Sequence, residues 1–146
     1  MIERGNNPID WEIDYISNNV QCDICGKQEK CFPQYICDAH THGMDRYGHM
    51  EFQLFLDYGP EEISRLLNTM GLRVQQGETF HDGDFVEGLY LDCDIQLRKV
   101  TDIMGIPVLR LMIPDKWNRM PIESEPPFVY QMLATSLLYQ NTEHHR

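Results

Sequence analysis

Leu89-Tyr90-Leu91-Asp92-Cys93-Asp94-Ile95-Gln96-Leu97 alternates apolar and polar residues without a break. In an extended chain successive side chains point to opposite faces. Leu89, Leu91, Cys93, Ile95 and Leu97 therefore share one face, and Tyr90, Asp92, Asp94, Gln96 and Arg98 share the other. One dry face and one wet face is the pattern of an antiparallel strand covered on one side. A one-residue slip would move the five apolar side chains into water. At about 25 cal/mol per Å² that costs several kcal/mol. The pattern predicts a sheet and puts Cys93 in its core.

Outward from this strand the neighbours fall into place. Ile106 to Ile113 reads as its antiparallel partner, closed by Pro114-Asp115. Residues 114–127 form a long Pro-rich loop, and Pro126-Pro127 leads into a last helix over 128–139. On the other side, His81-Asp82-Gly83-Asp84 is a turn. Before it lies the clearest helix, over 60–76. Pro60 opens it, Glu61 and Glu62 suit its positive end, and Gly77 stops it. Its apolar stripe is Ile63, Leu66, Leu67, Met70 and Val74. Residues 35–42 and 49–57 read as strands joined through Gly43–Gly48, a β-hairpin. Asn7-Pro8 with Ile9, Ile13, Ile16 and Val20 predicts a short helix over 8–19. Residues 21–34 carry no period and form an irregular loop or knuckle. The order gives an α+β class: one domain over 1–146, with an antiparallel sheet of about four or more strands and two to three packed helices. No βαβ alternation supports a Rossmann-like sheet.

Charge excludes partners. Twenty-three Asp and Glu against twelve Lys and Arg give −11 over 146 residues. Such a surface repels phosphate backbones and anionic membranes, so neither nucleic acid nor membrane is an expected partner. A homo-oligomer is compatible with the composition. No run approaches the roughly 20 apolar residues that span a bilayer. The opening Met1-Ile2-Glu3-Arg4-Gly5 lacks the apolar core of a signal peptide, and five cysteines fit a reducing compartment. A cytoplasmic location is expected. Phosphate-loop, dinucleotide-binding and nucleophile-elbow motifs are all missing, which argues against those enzyme classes.

His40-Thr41-His42-Gly43 and Tyr47-Gly48-His49-Met50-Glu51-Phe52 resemble the opening of a bacterial family known as domain of unknown function 4262. Leu66-Leu67-Asn68, Val74 to Phe80, Val108-Leu109-Arg110 and Ile113-Pro114-Asp115 continue the resemblance, which covers roughly residues 35–133. It implies a bacterial source and assigns no catalytic residues. Cys22 and Cys25 lie outside it.

Two constellations could carry chemistry. Cys22-Asp23-Ile24-Cys25-Gly26-Lys27 has the form of half a zinc knuckle, since two thiolates at this spacing wrap one tetrahedral ion. Cys37 and His40 would complete it, with Cys31 spare; reduced surface cysteines explain the pattern as well. This reading makes the chain a non-catalytic or regulatory protein with a structural zinc. The alternative is a metal-dependent hydrolase. His40 and His42 share a face, the hairpin would bring up His49, and Glu51 would serve as a fourth ligand or base. Hydrogen-bonded histidines beside a turn explain that pattern too. The two sites compete for His40. Asp92 and Asp94 read as solvated, while Arg110 and Asp115 could pair or bind an anion. If Cys22 and Cys25 hold a structural zinc, Cys22→Ser lowers the melting temperature, and freshly purified reduced protein carries about one ion per chain. Fewer than about 0.2 ions per chain would rule that site out.

Overall fold

The computed structural model describes residues 9–17 and 32–143. Its strands are β1 (Glu12–Ile16), β2 (Ile36–His42), β3 (Glu51–Leu56), β4 (Phe85–Val86), β5 (Ile95–Thr101) and β6 (Pro107–Met112). Helix α1 (Pro60–Gln75) follows β3, and α2 (Thr135–Glu143) comes last. The six strands form one sheet in the order β1-β2-β3-β6-β5-β4. Neighbours are antiparallel except β3 and β6, which run parallel at the centre. The expected α+β class holds, and both predicted antiparallel pairings are present.

β3 and β6 are covered on both faces, so Phe52 through Phe55 and Val108 through Leu111 are all buried. Central strands of this kind read as continuous apolar runs rather than alternations. α1 covers one face with the predicted stripe, and Ile63, Leu66, Leu67, Met70 and Val74 are all buried. Gly71 belongs to that stripe because Trp11 leaves no room for a side chain. A Cβ there would lie 2.5 Å from the indole Cζ2. The indole Nε1 donates to Asn68 Oδ1 at 2.8 Å. No helix among the described residues is long and apolar enough to cross a membrane.

Three expectations fail. The predicted 8–19 helix is a strand over its described part, with β1 pairing antiparallel to β2. Trp11, Ile13 and Tyr15 alternate as a strand requires, and all three pack on the core. β-branched and aromatic side chains suit a pleated edge better than a helix. The second failure is in the Leu89–Leu97 row. The strand begins only at Ile95, Leu91 is fully exposed and Cys93 is half-buried. β4 ends at Val86, which pairs with Ile95, so residues 87–94 connect the two strands. The loop turns toward α1, where Arg65 Nη1 donates to Leu89 O and Tyr90 donates to Glu62.

The third failure explains how the second face is covered. The predicted helix over 128–139 is broken: a 3-10 turn spans Phe128–Met132, Leu133 is extended, and α2 starts at Thr135. Arg110 forces the break. Its guanidinium, 1% exposed in mid-β6, donates through Nη1 to the carbonyls of Gln131 and Leu133, each at 2.6 Å. Nε donates to Gln53 Oε1 and Nη2 to Thr135 Oγ1, while the plane lies over Phe55. A continuous helix would spend those carbonyls on its own turns. Gln131 adds its side chain, accepting from Ile113 N–H and donating to Ile113 O. Arg110→Met removes the donors and leaves several buried acceptors unsatisfied, each costing about 1–3 kcal/mol. It should lower the unfolding free energy by about 3 kcal/mol or more, read as a fall in the urea midpoint; an unchanged midpoint contradicts this account.

Candidate functional site

The β1–β2 register builds the site. Asp14 lies opposite His40, and Glu12 lies opposite His42. Cross-strand partners share a face, as do residues two apart on one strand. Asp14, His40 and His42 therefore gather on the face opposite α1, and one ligand atom from each lies within 4.8 Å of the others. His42 Nε2 donates to Asp14 Oδ2 at 2.8 Å, and His40 Nε2 lies 3.6 Å from the same oxygen. The two rings meet edge to face at 4.8 Å between centroids. His40 is nearly buried, while His42 and Asp14 are half exposed.

His40 is held from behind. Its Nδ1 faces Asp38 Oδ1 at 3.3 Å, and Tyr139 of α2 donates to Asp38 Oδ2 at 2.6 Å. Asp38 is buried. Its hydrogen bond is the largest cause of a raised His40 pKa; burial opposes it, and the charges of Asp38, Asp14 and Asp102 add to it. With Nδ1–H turned to Asp38, His40 presents Nε2 to Asp14.

His40 and His42 line a cleft of about 540 Å³, and Asp14 reaches them from the neighbouring strand. Asp10, Glu12, Asp45, Glu51 and Asp102 also line it, and among the described residues they face one Lys or Arg, Arg46, which pairs with Asp10. Such a wall raises the local concentration of cations and repels anions.

The expected histidine triad does not assemble. His49 Nε2 accepts from Phe80 N–H at 2.9 Å, and Nδ1 donates to Met50 O at 2.9 Å. The ring stacks on Phe52, next to Phe80, over which Arg73 of α1 lies. His40 pairs in register with Gln53, the neighbour of Phe52, so His49 and His40 belong to opposite faces. Asp14 takes the place expected of His49. Glu51 lines the cleft, but its carboxylate accepts from the Thr41 hydroxyl and from the N–H groups of Gly43 and Met44. It fastens the 3-10 turn Met44–Tyr47 rather than standing ready as a base.

The cysteine half of the zinc reading divides. Cys22, Cys25 and Cys31 lie outside the described residues. Cys37 and His40 sit on one continuous strand without the turn that a knuckle needs. The Cys37 thiol donates to Leu54 O, and burial pushes its pKa well up, which disfavours the thiolate that binds metal. His40 turns instead to Asp38 and Asp14. Arg110 and Asp115 do not pair. Asp115 takes Arg119, Ser124 and two backbone N–H groups; burial would raise it, but these bonds prevail and hold it at about 2.

A second cleft of about 480 Å³ lies among Tyr58, Tyr90, Ile113 and Phe128. Asp92 also lines it, while its other two carboxylates, Glu62 and Asp115, are engaged by Arg65 and Arg119. Comparison with protein-family models, curated proteins and solved structures finds no match to the chain. Glu51→Ala leaves the Gly43 and Met44 amides without their acceptor. It should destabilise the protein by about 1–3 kcal/mol in thermal or urea unfolding; a variant as stable as the parent would show that Glu51 does not hold the turn.

Proposed function

We propose that the chain is a divalent-metal-binding protein using Asp14, His40 and His42, and that it acts as a metal-dependent hydrolase on a neutral or cationic substrate. The observation that carries this reading is the convergence of His40 Nε2, His42 Nε2 and Asp14 Oδ2 at the edge of an acidic cleft. Two imidazoles and one carboxylate suit a borderline ion such as zinc and leave a coordination position free. Bonds of about 2.05 Å at tetrahedral angles put ligand atoms about 3.4 Å apart, so small rotations of exposed His42 and Asp14 suffice. The bound ion supplies Lewis-acid chemistry at its open position. The acidic wall admits cations and neutral molecules and turns phosphate esters away. The substrate this wall favours therefore carries no negative charge.

A bacterial, cytoplasmic origin and membership of the family 4262 remain part of this proposal, on the sequence pattern alone. Calorimetric titration of reduced protein with Zn²⁺ tests the site. One ion should bind per Asp14–His40–His42 group, and Asp14→Asn with His42→Ala should weaken that binding at least 100-fold, while Cys22→Ser leaves it in place. Loss of zinc in Cys22→Ser alone would move the metal to the cysteines. Zinc-dependent cleavage of a neutral p-nitrophenyl ester, absent in His42→Ala, is the expected activity.

A further inference from the structure

Three side chains stand in line behind the site: His40, Asp38 and Tyr139. We infer that Asp38 is the positioning residue for the metal ligand His40, and that Tyr139 ties metal affinity to the docking of α2. This rests on the metal reading above.

Asp38 is wholly buried, yet both carboxylate oxygens are engaged: Oδ1 by the His40 ring at 3.3 Å and Oδ2 by the Tyr139 hydroxyl at 2.6 Å. A carboxylate that accepts from one imidazole nitrogen fixes the tautomer, so the other nitrogen offers its lone pair to an ion. Here that other nitrogen is Nε2, the atom nearest Asp14. The carboxylate also makes the imidazole a stronger donor. Asp38 neighbours Ile16 in register at the strand edge and gains its second hydrogen bond only through α2. Tyr139 is kept in place by Phe32, whose ring meets it edge to face at 5.5 Å. If α2 lifts away, Asp38 loses its Tyr139 bond and is free to turn from His40. The ion then meets a ring that no longer presents Nε2. By linkage, an ion at the site must favour docked α2 to the same degree.

The experiment is a Co²⁺ titration of the full chain, read by calorimetry and by the visible d–d absorption, with circular dichroism confirming the fold. Co²⁺ stands in for zinc and reports its ligand geometry. The parent should bind one ion at this site, and His42→Ala should abolish that binding. Asp38→Asn should weaken Co²⁺ about 10- to 100-fold and alter the absorption band. Tyr139→Phe, which keeps the ring and its packing, should weaken it about fivefold. A merely structural role would lower stability and leave the band of the bound ion unchanged. If the parent binds and both variants bind with parental affinity and spectrum, the role of Asp38 is overturned and the metal site stands. Should Asp38→Asn fail to fold, Tyr139→Phe decides by the same criterion. If the parent binds no ion, or His42→Ala binds as well as the parent, the metal reading falls and takes this inference with it.

Discussion

A guanidinium sits in the middle of this protein, away from water and without a carboxylate in contact. Arg110 is held by neutral groups: the side-chain oxygen of Gln53, the hydroxyl of Thr135, two main-chain carbonyls and the face of Phe55. Burial brings its pKa down to about 9, against the opposing pull of Asp38, and it stays charged at neutral pH. A buried charge persists only where its hydrogen bonds are satisfied. The parallel pair β3–β6 supplies Gln53 beside Arg110, and the C-terminal chain must come to the guanidinium to supply the rest. That demand fixes the path of residues 128–135 across the second face of the sheet.

The site inherits its order from that path. Once Thr135 is bonded to Arg110 and to Thr101 O, α2 starts at a defined point and Tyr139 arrives beside Asp38. Asp38 sets His40, and the β1–β2 register sets Asp14 against it. The polar residues of the second face thus form two groups joined through α2: Arg110, Gln53 and Thr135 at its start, and Tyr139, Asp38, His40, Asp14 and His42 further along. α1 has no part in it. On its own side, His49 is spent on Phe80 and Met50 and serves the packing of Phe52. Two histidines seven residues apart, His42 and His49, have different work because they belong to different faces.

The sequence disclosed the parts whose periodicity is local. Helix α1 announced itself through Pro60, Gly77 and a stripe that is buried throughout. The pairing of β2 with β3 and of β5 with β6 followed from apolar runs separated by short turns. Alternation misled at Leu91, where a connecting loop happened to keep the period after its partner strand had ended. Isoleucines at helical spacing hid the Trp11-Ile13-Tyr15 alternation of β1. That error concealed Asp14, since a residue placed on a helix could not be set opposite His40. His40 and His42 were legible as a pair because they are two apart. Asp38 and Tyr139 were not, because residues 101 positions apart meet only through the fold. Arg110 was visible as a charge in an apolar run, but the chain segment that answers it is remote in sequence.

X-ray absorption at the zinc edge, on protein loaded with one equivalent and kept reduced, tests the central claim most directly. Ligation by His40, His42 and Asp14 predicts a first shell of nitrogen and oxygen at about 2.0–2.1 Å, with the outer scattering of two imidazoles and no sulfur. A sulfur shell at about 2.3 Å would contradict the account and put the ion on the cysteines.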